Sequence, residues 1–314
     1  MYGTDQATAV SAMPTPAPAG TPGYFTSGNP TTGQAATILD ADWLNMVQQE
    51  LLNVLTAAGI TPSKTNYSQI AAAIQTLLGE QPGRVLRTSV YANVGGVQYV
   101  SVDGGAPTTT GASSWTALPG TTSIEYEGCG AGAGSSGAGG QGPSTIGLGA
   151  SGGSGAWGKG RLTSGFSGTQ TIAIGVGGTA GTAAPTNGGN GSATTFGTLA
   201  SWPGGQPSSF VNGVTTPAVV GAGAGAAAPT GCNLFGSGGN AAESGVFAST
   251  SAGVSGKGGD TPYGAGGASV AAGSAGQAGT GYGSGASGAA VGGSGAGQPG
   301  AIGRNGILIV TERS

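Results

Sequence analysis

The chain has 314 residues, of which 71 are glycine, only 6% are charged and none is histidine. A net charge of −3 removes the basic footprint of nucleic-acid binding, and the lack of His removes Ser-His-Asp catalysis and His-based metal sites. No run approaches the ~18 apolar residues of a membrane span, and the first residues have neither the basic nor the apolar region of a signal peptide. A soluble chain made in the cytosol, with no membrane insertion, is therefore expected.

Residues 1–23 carry Pro14, Pro16, Pro18 and Pro22 among Ala and Thr, which favours an extended attachment arm over a helix. In "DADWLNMVQQELLNVLTAAGI", Trp43, Val47, Leu51, Val54 and Ala58 fall on one helical stripe, widened by Leu44, Leu52 and Leu55. Asp40 or Asp42 can cap the start and Gly59 can close the end. A second helix is expected from Asn66 to Leu78, with Asn66 and Gln69 spaced as a capping box and Gly79 as its stop. Together they make a helical hairpin within residues 24–80, too small to bury its own stripe. Burial against identical copies through Trp43, Val47, Leu51, Val54 and Leu55 is the expected solution.

From Arg84 the apolar period changes to two. "RVLRTSVY", "VQYVSVD" and "TTSIEYEG" alternate as strands, so residues 81–127 form a β-strand connector. Later strands are expected at "TQTIAIGV" and "GILIVTER". Glycine density changes at residue 128, with 14 glycines before it and 57 from there to the end. Cys129 and Cys232 read as small buried side chains rather than as a disulfide.

The glycines from 128 onward keep a triplet phase. Eight of the eleven positions 128, 131 and so on to 158 are Gly, and so are nine of the twelve from 273 to 306, Tyr282, Val291 and Ser294 being the exceptions. Collagen would allow no lapses, and a linker has no reason to hold a phase. A polyproline II helix has three residues per turn, so phased glycines let neighbouring rods approach until their backbones meet. A polyglycine-II bundle with short β-strands is expected for residues 128–314, folding back at "PSTIG" (143–147), with the interruptions as end loops. Phased Gly276 should then resist substitution more than unphased Gly281.

Two chemical signals fail. "GSGAWGKG" (153–160) ends in Gly160 where a phosphate loop needs Ser or Thr. Glu243 and Asp260 are the only acids between Gly128 and Val310, a thin basis for a glycosidase pair. No catalytic residue, metal or cofactor is expected, and the chain reads as no enzyme.

"GYFTSGNPTTGQAATILDADWLNMVQQELLNVLTAAGITPSKTNYSQIAAAIQTLL" (23–78) resembles a segment near the start of many bacteriophage tail fibre proteins, with Gln49 where glutamate is usual. The second half, from "IEYEGCGAGAG" through "TIAIGVGG" and "GGNGSATTFG" to "GILIVTER", resembles the glycine-rich tip domain of phage fibres and T-even-type adhesins. The resemblance implies an elongated, fibrous homotrimer of the virion tail, assembled in the host cytoplasm. Its N-terminus would join a baseplate or another tail protein. Its tip loops would bind a host glycan, outer-membrane protein or pilus.

Adhesion of that kind calls for aromatic planes and orienting polar groups. Trp157 with Lys159 and Arg161, Trp202, Tyr263 and Tyr282 are the candidates, whereas the phenylalanines are expected to plug the bundle. A purely structural fibre or baseplate component is the main alternative, and a polysaccharide depolymerase using Glu243 or Asp260 is the third.

Overall fold

The computed structural model describes residues 2–79 and 83–314, so the expected boundary at residues 80 and 81 lies outside the described residues. The chain divides into two compact units, Met1–Pro82 and Gly83–Ser314. In the first, Asp40 Oδ1 accepts from Trp43 N at 2.8 Å and opens helix α1 (Ala41–Ala57). Gly59, at φ +66°, closes it: Gly59 N donates to Thr56 O (3.0 Å) and Ile60 N to Leu55 O (2.9 Å), the paired bonds of a Schellman cap.

Helix α2 (Gln69–Gly79) begins later than the expected Asn66. Asn66 Oδ1 accepts from Ser68 N at 2.9 Å, and the Gln69 amide turns back to donate to Thr61 O (2.7 Å) and accept from Ser63 N (2.9 Å). The capping box gives way to a bridge across the interhelical loop. Residues ahead of α1 lie along the helices: Thr4 N donates to Gln48 Oε1 and Ala17 N to Asp42 Oδ2, both at 2.8 Å, and Asp5 pairs with Lys64 at 2.6 Å.

The second unit is organised by its backbone. Along residues 130–138 each successive N–H turns to a different neighbour. Gly130, Ala133 and Ser136 donate to Ala156, Gly153 and Ala150; Ala131, Gly134 and Gly137 to Ser192, Gly189 and Thr186; Gly132, Ser135 and Ala138 to Arg304, Ala301 and Gln298. Three antiparallel partners are thus served at three-residue intervals, which requires the donors to rotate by a third of a turn per residue. The next rod repeats the pattern, with Gly149, Gly152 and Gly155 donating to Ala289, Ala286 and Gly283. Between the two rods the chain reverses at 142–145, where Thr145 N donates to Gly142 O at 3.3 Å.

Between the rods, residues too large for such contact return to a two-residue alternation and pair as strands. The largest sheet has six antiparallel strands: β1 (Val85–Val94), β2 (Val97–Val102), β3 (Ser123–Cys129), β4 (Trp157–Leu162), β5 (Phe235–Ser237) and β6 (Ile307–Arg313), in the order β5-β4-β3-β6-β1-β2. Three smaller antiparallel sheets accompany it. This corrects the expected fold class of an elongated fibrous chain led by an extended arm and a helical hairpin, with β structure confined to a small region and short strands. The described residues form mostly small antiparallel sheets, and their helices are just α1 and α2, of 17 and 11 residues. Short apolar runs scattered among the glycines pair with one another over long sequence distances, which local periodicity does not reveal.

The inner face of the six-stranded sheet carries Tyr91, Val100, Ile124, Tyr126, Leu308 and Val310 into the main core. Trp115 meets Phe196 edge-on at 5.3 Å, Phe196 meets Tyr126 at 5.6 Å, and Tyr126 meets Trp202 at 6.2 Å. Glu312 is fully buried beneath this sheet, paired with Arg87. Its oxygens also accept from Trp115 Nε1 (3.0 Å), Leu118 N (2.8 Å) and Thr121 Oγ1 (3.1 Å). A buried carboxylate is tolerable only with its lone pairs so filled.

Gly281 is not the looser position that its phase suggests. A Cβ there would overlap Tyr263 O, as one at Gly276 would overlap Ser287 O. A rod with neighbours on several sides needs glycine in more than one phase. Neighbours, not phase, therefore predict tolerance. Gly149→Ala, whose Cβ would strike the Ser136 carbonyl, should lose about 1–3 kcal/mol or more. Gly221→Ala, with Ser208 Oγ at 3.6 Å as its nearest neighbour, should lose well under ~1 kcal/mol. Denaturant unfolding of the two variants checks this, and equal losses would contradict it.

Candidate functional site

Alternation along β4 places Trp157, Lys159 and Arg161 on one face, opposite the core, and Gly158 and Gly160 on the other. The glycines are needed because the inner side is full. A Cβ on Gly160 would run into the Tyr126 ring, and the Trp202 indole donates to Gly158 O at 3.1 Å. Across the ladder, Trp157 stands opposite Cys129, Lys159 opposite Glu127 and Arg161 opposite Glu125. β5 brings the exposed Phe235 beside Lys159.

This outer face is a mixed-charge surface. Lys159 Nζ reaches diagonally to Glu125 Oε2 at 3.0 Å, and Arg313 Nε lies 3.6 Å from Glu125 Oε1, within ion-pair range but without a hydrogen bond. The hydrogen bond from Lys159, then the nearby Lys159, Arg313 and Arg161 charges, hold the Glu125 carboxyl below its usual range. Glu127 Oε1 accepts from Tyr263 OH at 2.7 Å, tying the Tyr263 loop to the sheet. Burial, reinforced by that carboxylate, pushes the Tyr263 phenol well above its ordinary value. Arg161 is exposed and makes no ion pair among the described residues, while Asn233 braces its backbone from both sides, accepting from Arg161 N and donating to Arg161 O at 2.8 Å each.

The expected residues therefore separate. Trp157, Lys159 and Arg161 form one row, and Tyr263 joins it through Glu127. Trp202 is fully buried in the aromatic core and offers no surface to a partner. Tyr282 is 38% exposed but lies outside this row, in an open groove at the end of β1 with Asn93, Val94, Ile302 and Arg304. Of the phenylalanines, Phe166, Phe196 and Phe247 are buried. In the first unit Leu55 is buried, Val47, Leu51 and Val54 are half-buried, and Trp43 is exposed with an edge-on contact to Phe25 at 5.2 Å.

Glu243 is exposed, whereas Asp260 pairs with Lys257 at 2.5 Å and accepts from Gly266 N at 2.7 Å. Both cysteines are free thiols, and burial pushes Cys129 up to about 12 and Cys232 to about 11. Glu125, Glu127 and Arg313 were missed from sequence. Their signal is the two-residue spacing of acids in "IEYEG" matched by bases at the same spacing in "WGKGR".

The family described as the glycine-rich domain matches residues 108–311, more than half of the chain. An uncharacterized protein of Escherichia coli (strain K12), StfP, is 45% identical over 54 residues, 17% of this chain and 26% of that protein. The Mu-like prophage FluMu defective tail fiber protein of Haemophilus influenzae is 46% identical over 54 residues, 17% of this chain and 8% of that protein. Tail fiber protein S of Escherichia phage Mu is 51% identical over 37 residues, 12% and 7% of the two chains. The chain thus spans about a quarter or less of the length of these relatives.

Tyr91, Tyr126 and Tyr263 are all raised by burial, so each keeps its proton when the unfolded chain loses it. Their contribution is intact below the unfolded phenol value of about 10 and is lost as pH rises past it. Unfolding free energy should accordingly fall above about pH 10, and Tyr263→Phe should flatten that fall. Thermal melts from pH 8 to 11 measure both.

Proposed function

The chain belongs to the glycine-rich domain family, and from that premise we propose that it is a bacteriophage tail-fibre protein that attaches the virion to a host surface without catalysis. Two of its relatives carry tail-fibre names, which supports the placement in the tail. The observation that carries the attachment reading is the outer face of the six-stranded sheet, where Trp157, Lys159 and Arg161 stand in a row on a scaffold fixed by backbone hydrogen bonds. An aromatic plane beside an unpaired guanidinium suits a polar, anion-bearing receptor on the cell surface.

In this reading the rods are of polyglycine-II type, and the first unit docks to other tail components. Trp43, Leu44 and Met46 expose apolar surface on α1 beside half-buried Val47, Leu51 and Val54, which favours association, and a homotrimer is the assembly proposed. Asp260 is already committed to Lys257 and Gly266, which weakens the depolymerase alternative.

The 314-residue chain, added to host cells before a phage that carries it, should lower adsorption, and it should run at three chain masses in light scattering. Trp157→Ala combined with Arg161→Glu should cut that inhibition at least tenfold while the melting temperature holds. A folded chain that inhibits nothing would favour a purely structural fibre component.

A further inference from the structure

Tyr282 breaks the glycine triplet, and its surroundings form a second site distinct from the outer face of the sheet. The groove that it lines, of about 500 Å³, falls within the ~300–1,000 Å³ range of small-molecule sites. Its walls are tied by hydrogen bonds. Thr261 Oγ1 donates to Tyr282 O at 2.7 Å, Gly283 N to Asn305 O at 2.8 Å, and Arg304 N to Ser284 O at 3.0 Å. With its backbone held on both sides, the Tyr282 side chain stays 38% exposed, beside exposed Ile302 and Val94.

Among the described residues, two donors in this groove lack acceptors. Arg304 Nε is fixed on Gly279 O at 2.5 Å, and neither Nη has a partner or an ion pair among those residues. Asn93 is only 8% exposed, and its Oδ1 accepts from Gly96 N at 3.1 Å, which sets the amide's orientation. Its Nδ2 has no partner among the described residues, yet it is not sealed from solvent, and Asn93 lines the groove. An amide donor and a pre-positioned guanidinium lining one groove suit an anionic acceptor. No Asp or Glu lines the groove to meet it.

We propose that the groove formed by Asn93, Val94, Tyr282, Ile302 and Arg304 binds an acidic saccharide, its carboxylate on Arg304 and Asn93 and a sugar face on the Tyr282 ring. The attachment reading is needed only for the biological source of the sugar; the binding chemistry is independent of it.

Titration calorimetry of the full chain tests this with a tetrasaccharide alternating glucuronic acid and N-acetylglucosamine, against the uncharged N-acetylglucosamine tetramer. The acidic sugar should bind at least tenfold more tightly, and added salt should weaken it. Tyr282→Ala and Arg304→Gln should each lower its affinity at least tenfold at an unchanged melting temperature. Should Arg304→Gln unfold, the exposed Tyr282→Ala decides. Equal binding of both sugars, or no binding of the acidic one at millimolar concentration by folded chain, would overturn the proposal. Glucose 6-phosphate binding as tightly as the acidic sugar would overturn selection for a carboxylate. A Tyr282→Ala chain that binds no sugar but still blocks adsorption supports the groove and leaves attachment to the sheet face. A chain that binds the sugar but never blocks adsorption keeps the groove and removes the attachment role.

Discussion

The backbone N–H groups of the glycine-rich unit each need a carbonyl, and most of the rest of the structure follows from how that need is met. Along residues 130–138 the donors turn to three neighbours in rotation at 2.9–3.2 Å for all but one of the nine bonds, Gly132 N to Arg304 O being 2.8 Å. Three-directional bonding brings backbones together on every side, so the positions that face a neighbour cannot carry a Cβ. Ordering a residue costs ~1–2 kcal/mol, and a backbone hydrogen bond returns only ~0.5–1.5 kcal/mol net. Single rods are therefore untenable, and the unit must form as a cooperative whole.

That constraint governs where side chains can go. Ala131, Ala133, Ser135 and Ser136 are wholly buried in the first rod because nothing larger fits there. Large residues collect at the chain reversals and in the six-stranded sheet, and glycine intrudes even into the sheet. Gly128 on β3 and Gly160 on β4 hollow the inner face so that Trp202 and Tyr126 can lie against it. The outer face of β4 is then free to carry Trp157, Lys159 and Arg161. Glu312 locks the far end of this sheet, since its carboxylate joins Arg87 of β1 to the segment containing Trp115, Leu118 and Thr121.

Local signals in the sequence were legible where one short segment determines the outcome. Asp40 and Gly59 bound α1 as their chemistry predicts, and the alternations at Val85–Val94, Val97–Val102, Ser123–Cys129 and Ile307–Arg313 are strands. Pairing over long distances was not legible. Nothing local shows that the last strand inserts between β1 and β3, or that Phe235 lies beside Lys159. For the same reason "WGKGRL" reads as an interruption in a glycine run until its partner "IEYEGC" is placed opposite. Trp202 misled because an indole next to "PGG" has the composition of a loop, while its neighbours in space are Tyr126, Gly128 and Gly158.

The triplet phase was informative and incomplete for one physical reason. A rod at the edge of a packed group needs glycine only on the side that meets a neighbour, but an enclosed rod needs it on several. Gly132 and Gly134 occupy different phases of the same rod and meet Ser284 and Thr179 respectively, whereas Gly137, in phase with Gly134, meets Thr182 on the same neighbour as Thr179. Phase therefore marks the presence of rods, whereas a break in phase is filled by a buried side chain at Val291 and opens to solvent at Tyr282. Tyr282 is such a break: its carbonyl still bonds Thr261 while its ring occupies open space. Where rods pack backbone to backbone they exclude large side chains, so such residues are left to breaks like Tyr282, to the chain reversals and to the sheets between rods, whose inner faces form the core.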